Sequence, residues 1–135
     1  MICFAHALLL VGGHYVLQLH DDKPGIGAPG MWSLFGGRVE EGEEPQKALL
    51  REIREELCLQ LETCRHLWTV ERYSAFAGAV ASYCFFEADI SELWDKHRLT
   101  EGQAVGCFCY EELSSLRIFP LMRQALEQYQ FDHGE

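Results

Sequence analysis

A chain of 135 residues can bury one core of its own and is short for two ordinary domains, so a single domain over residues 1–135 is expected. Its formal charge of −10 argues against a nucleic-acid backbone as the main partner, because that partner calls for clustered Lys and Arg. A small anionic substrate stays open, since bound cations can reverse the local field.

The chain opens on MICFAHALLLVGGHY, where the apolar run from Ala7 to Val11 lacks the positive flank and cleavage pattern of a secretion signal. Residues 5–11 and 14–20 read instead as two strands joined at Gly12-Gly13. No segment reaches the length of a membrane span, and no membrane partner is expected. DDKPGIGAPG (21–30) is a loop by its glycines and prolines, and Trp32 to Phe35 is a short strand ending at Gly36-Gly37. Pro45 opens a helix that should run to about Leu57, with Glu43 and Glu44 beside the positive end of its dipole. Strands are expected over 60–73, 79–88 and Ala104 to Tyr110, and a short helix over Ser91 to His97. Pro120 then starts a last helix with Leu121, Ala125, Leu126 and Tyr129 on one side. Together these elements predict an α/β fold in which helices cover both faces of a mixed sheet. The six cysteines, Cys3, Cys58, Cys64, Cys84, Cys107 and Cys109, show no paired metal or disulfide-scaffold spacing, which predicts reduced thiols in a cytoplasmic protein.

The chemistry concentrates in Gly37 to Leu59, GRVEEGEEPQKALLREIREELCL. At roughly 100° per residue, with Glu52 at zero, Glu55 falls near about −60° and Glu56 near about +40°. Leu49, Ile53, Leu57 and Leu50 form the core-facing stripe, while Lys47, Arg51 and Arg54 cover the remainder. Ala48 falls in the acidic sector, where a small residue would leave room for an ion and its waters. Glu52 and Glu56 are four apart, and like charges at that spacing cost a few tenths of a kcal/mol. Grouped carboxylates after a glycine turn suit the holding of a hard divalent cation against phosphate. Taken without its preceding turn, REIREE reads first as a solvated acidic face; the turn and Glu43 are what sharpen the metal reading.

The whole segment resembles the signature of the Nudix hydrolase family, MutT-like branch. That signature is a glycine, five residues, Glu, seven residues, Arg-Glu, an aliphatic, one residue, Glu-Glu, one residue, Gly and an aliphatic. Here it reads Gly37, Glu43, Arg51-Glu52, Ile53, Glu55-Glu56, Cys58 and Leu59, matching everywhere except Cys58. The resemblance implies a Nudix α/β/α sandwich with the mixed sheet between helices. It also implies Mg²⁺-dependent pyrophosphohydrolase activity (Mn²⁺ as substitute) on a diphosphate linking a nucleoside to another group. By the same resemblance Glu52, Glu55 and Glu56 are metal ligands, with the Gly37 carbonyl helping. Arg51 holds a carboxylate in position, Glu43 or a ligand glutamate. The general base is a glutamate of the helix or a distant one, and Glu101 stands where MutT relatives carry an additional metal-binding glutamate. A loop carboxylate in water explains Glu101 equally well. Arg38, Glu40 and Glu41 read as ordinary turn residues. Cys58 in place of glycine implies a prolonged helix or a different exit toward Leu59, with activity retained.

Substrate identity is thinner. Nucleoside triphosphates and nucleotide sugars are both open. Trp32, Phe35, Tyr73, Phe76 and Tyr83 are available for base stacking, and plain core explains each of them. His14, His20, His66 and His97 show no ligand spacing. Where the MutT branch reads an oxidised purine with an asparagine, the stretch Arg117-Ile118-Phe119-Pro120-Leu121 offers none, which weakens a nucleotide-pool sanitising role. The rival classes are a Nudix-like domain that senses a nucleotide without hydrolysing it and a scaffold domain with an acidic helix. The oligomeric state is not readable from the sequence; many relatives are dimers, which leaves a homodimer open by analogy alone.

Overall fold

The computed structural model describes residues 1–23, 28–100 and 102–134. Its strands are β1 (Ile2–Val11), β2 (His14–Leu19), β3 (Trp32–Ser33), β4 (Phe35–Arg38), β5 (Arg65–Ser74), β6 (Ala79–Asp89) and β7 (Ala104–Phe108). The helices are α1 (Pro45–Leu57) and α2 (Pro120–His133), with short 3₁₀ turns at Trp94–Lys96 and Tyr110–Ser115. The seven strands form one mixed sheet along the order β3-β2-β1-β6-β5, with β4 added to β1 and β7 to β2.

Alternation along β1 explains why a helix lies on each face. Side chains in a strand point to opposite faces with a period of two. Ala5, Ala7 and Leu9 join Leu49, Ile53 and Leu57 of α1 in one buried cluster. Leu8 joins Met122, Ala125 and Leu126 of α2 in the other. The product is an α/β/α sandwich, as expected. Each buried Leu or Ile contributes about 1.5–3 kcal/mol by leaving water, so both clusters are needed to hold the layers together.

The central strand changes partner along its length. β1 runs parallel to β6 from Ile2 to Leu10. On its other side β4 pairs antiparallel with Phe4 to Ala7, whereas β2 pairs only with Leu10 and Val11. β2 then turns away to pair with β7 and β3. This divergence opens the sheet beside β4, where α1 begins its approach.

Three local readings are corrected. Gly36-Gly37 do not end a strand but lie inside β4. A β-carbon on Gly36 would stand 2.1 Å from the Ala5 carbonyl oxygen, and its φ of +150° is open to glycine, so this pairing depends on the missing side chain. The last strand stops at Phe108, and Tyr110–Ser115 curls into a 3₁₀ helix, closed by the Cys109 N–H donating to Glu112 Oε1 at 2.8 Å. Cys58 neither prolongs α1 nor finds a new exit. It takes φ 58°, ψ 30°, the left-handed geometry glycine usually supplies, and its N–H donates to the Arg54 carbonyl. Among the described residues no helix is long and apolar enough to cross a membrane.

Candidate active site

Arg51 organises the start of the site. Its Nε and Nη2 donate to the two carboxylate oxygens of Glu43 at 2.9 and 3.0 Å, a bidentate fork. Nη2 also donates to the Arg38 carbonyl at 3.2 Å, fastening the turn between β4 and α1 to the helix. Nη1 reaches Glu52 Oε1 at 3.0 Å and Glu55 Oε2 at 3.4 Å. The guanidinium beside Glu43, with the Glu40 N–H as a second donor, pulls the Glu43 carboxyl down to about 2. In turn the Glu43 carboxylate raises the Arg51 pKa, so the pair stays ionised throughout the neutral range.

Glu40 and Arg38, expected to be ordinary turn residues, thus feed the same network through their backbones. Glu40 N–H donates to Glu43 Oε1 at 3.0 Å. Glu41 is exposed.

Gly37 lies against the helix. A β-carbon there would come within 2.7 Å of the Glu52 carboxylate, so glycine is what lets the strand backbone approach that side chain. Glu52 and Glu56 both line a cleft of about 1290 Å³ that Gly36, Gly37 and Arg38 also border. Glu56 is 8% exposed and Glu55 is exposed, so the acidic arc spans the boundary between cleft and solvent. Among the described residues no three Asp, Glu, His or Cys side chains converge as a ready cage. The donor set still fits a hard divalent ion: carboxylate oxygens on one helix and a glycine strand pressed against them, where a side chain would fill the space. Ala48 does not leave room for an ion as expected, because it is fully buried among the core residues.

The end of α1 is tied to a second loop. Arg98 and Thr100 N–H donate to the Leu57 and Glu56 carbonyls, and Thr100 Oγ1 donates to the Glu55 carbonyl at 2.7 Å. These bonds satisfy carbonyls that a helix end leaves open. They also bring Thr100 to the cleft, which Gly102 lines as well. Glu101 lies outside the described residues.

Away from α1, the cleft runs over Phe4, His6 and Tyr83 of the central strands to Tyr73 and Phe76 of the β5–β6 hairpin. Tyr73 and Phe76 are 68% and 64% exposed, so the reading of them as plain core is corrected. Tyr73 lies near the end of β5, paired with Val80 of β6, and Phe76 lies in the turn between the two strands. Phe35 is core, and Trp32 packs edge-on against Phe108. Tyr83 is buried and stacks on Phe4 with ring centroids 5.2 Å apart. His6 escaped notice in the sequence, hidden within an apolar strand. The available signal was its place in alternation with Phe4 and Leu8, facing α2. Another groove, about 410 Å³ between β5 and α2, lies apart from α1 and its carboxylates.

The NUDIX domain family matches residues 4–130. A segment of 49 residues is 51% identical to the nucleoside triphosphatase NudI of Salmonella agona, covering 36% of this chain and 34% of that protein. The match thus spans about a third of that curated relative. The MutT protein from Methanosarcina mazei superposes with a TM-score of 0.83 at 17% identity, over 99% of this chain and 96% of that one. The MutT NUDIX hydrolase from Burkholderia pseudomallei superposes at 0.77 with 26% identity, over 94% and 96%.

Proposed function

This chain belongs to the Nudix family, and from that membership we propose that it is a Mg²⁺-dependent pyrophosphohydrolase acting on nucleoside triphosphates. The observation that carries the proposal is one continuous cleft with Glu52 and Glu56 at one end and a run of aromatic side chains at the other. A phosphate chain and a nucleoside need those two surfaces side by side. The likeness of a 49-residue segment to a nucleoside triphosphatase supports the triphosphate over a nucleotide sugar.

In this reading Glu52, Glu55, Glu56 and the Gly37 carbonyl hold Mg²⁺, with Mn²⁺ as substitute. When bound, the ion neutralises phosphoryl oxygens and makes water a competent nucleophile near neutral pH. Arg51 keeps Glu52 and Glu55 within one hydrogen-bonded frame and anchors that frame to the turn through Glu43. The general base is Glu101 or a glutamate of α1. Thr100 and Gly102, its sequence neighbours, line the cleft and support keeping Glu101 as a candidate. The sensing alternative would have no use for the carboxylates and the fork that orders them.

Purified protein incubated with Mg²⁺ and nucleoside triphosphates should release nucleoside monophosphate and pyrophosphate, or the diphosphate and phosphate. Glu56→Gln should lower kcat roughly a hundredfold or more, the loss of about 2.7 kcal/mol of transition-state stabilisation, with the melting temperature little changed. Wild-type turnover in that variant, or equal turnover with a chelator present, would remove the proposed site.

A further inference from the structure

His6 is a polar residue with no role in the proposed phosphate chemistry, and it lines the same cleft as Phe4, Tyr83, Tyr73 and Phe76. It sits on β1 opposite Phe85 of β6 and Gly36 of β4. Its ring lies 6.5 Å from Phe4, 6.4 Å from Tyr83 and 6.3 Å from Phe85 between centroids. A β-carbon on Gly36 would come within 2.9 Å of its Cδ2, so glycine makes room for this imidazole too. The Nδ1 atom is fully covered and has no hydrogen-bond partner among the described residues.

A covered nitrogen without a partner is tolerated better as a bare lone pair than as an orphaned N–H. That preference places the single proton of the neutral ring on Nε2. Desolvation, with His20 nearby as a second influence, keeps the ring neutral by pulling its pKa down to about 4. With Nδ1 covered and Cδ2 against Gly36, the edge left to meet the cleft is Cε1 and Nε2. A fixed donor among aromatic rings suits a flat ligand that stacks and presents an acceptor at its edge.

We propose that His6 is a specificity-determining residue that selects the nucleobase, its Nε2–H donating to a carbonyl oxygen or unprotonated ring nitrogen of the base. This rests on the cleft being a nucleotide site but not on hydrolysis taking place there.

The test uses the intact protein with ¹⁵N-labelled histidine. The His6 ring should show the neutral Nε2–H pattern at pH 7. Titration with free adenosine, guanosine, cytidine and uridine, without metal, should move the His6 Nε2 signal for the accepted base and leave the exposed His14 and His66 unmoved. His6→Phe should shrink the spread of dissociation constants among the four nucleosides roughly tenfold, the size of one hydrogen bond's contribution. His6→Gln, whose amide can donate from a similar position, should restore part of the ranking. An Nδ1–H tautomer, absence of any nucleoside effect on His6, or an unchanged ranking in His6→Phe would overturn the proposal. Nucleoside binding at His6 without Mg²⁺-dependent turnover would uphold His6 and refute the hydrolase instead. Turnover with a base preference indifferent to His6 would do the reverse.

Discussion

Arg51 shows how one side chain fixes the geometry of several others. A lysine carries the same charge but cannot make the fork to Glu43 while also reaching Glu52 and Glu55. Arg51→Lys should therefore lower kcat roughly ten- to a hundredfold, the usual effect of losing a residue that orients metal ligands. Its pH signature follows from Glu43, whose pKa is depressed from the ordinary 4.5 to about 2. A depressed carboxyl contributes stability that is present above the ordinary value and is lost as pH falls through the folded value. In Arg51→Lys the Glu43 carboxyl should titrate closer to 4.5, so the variant loses that contribution at higher pH than wild type. Carbon-13 NMR of the Glu43 carboxyl checks this directly, and an unshifted titration would show that the fork is not what holds it. The resemblance to the Nudix signature implied beforehand that Arg51 holds a carboxylate, Glu43 or a ligand glutamate, and the structure shows it holding Glu43 while also reaching Glu52 and Glu55. His6 was not, since its significance depends on which ring atom the neighbouring strands cover, and periodicity carries no information about that.

At the scale of elements, α1 was legible because every local signal agreed: Pro45 at the start, an apolar stripe, and an acidic sector beside it. Its start and end coincide with the expected Pro45 and Leu57. The strands around β4 were harder to read. Gly36-Gly37 looked like a terminator, yet β1 passes too close to Gly36 for any side chain, and the Glu52 carboxylate of α1 does the same at Gly37. Local punctuation and long-range close approach ask for the same residue, so sequence alone does not separate them. Cys58 presents the opposite case, a residue with a β-carbon performing a glycine's task at φ 58°. That geometry costs a residue other than glycine about 1–2 kcal/mol. Part of the gain from glycine is offset by the greater freedom it gives the unfolded chain. Cys58→Gly should thus stabilise by about 0.5–1 kcal/mol, a rise of roughly 2–6 °C in melting temperature. Since Cys58 is exposed and outside the cleft, kcat should stay within about twofold. Thermal melts and steady-state rates on the one variant test both halves, and a lower melting temperature would mean that the left-handed exit is not strained.

For the molecule as a whole, the sandwich followed from its layers, but the cleft did not, because it arises where three separate parts of the chain meet. β1 changes partner, α1 leans on β4, and the β5–β6 hairpin projects Tyr73 and Phe76 over the gap. The acidic arc adds a cost to that arrangement within a chain whose formal charge is already −10. Anything that binds the folded arc and not the unfolded chain stabilises the fold by mass action. With Mg²⁺ at about ten times its dissociation constant, the gain is about 1.4 kcal/mol. A monovalent salt at equal ionic strength screens the same repulsion without occupying a site, and supplies the control. Mg²⁺ should therefore raise the melting temperature of the wild type by a few degrees beyond that control. In Glu52→Gln/Glu56→Gln the increment over the monovalent control should vanish, whatever the starting melting temperature of the variant. The measurement needs no substrate, so it separates metal capture from turnover. If Mg²⁺ and the monovalent salt acted alike in the wild type, the carboxylates of α1 would be an acidic surface and nothing more.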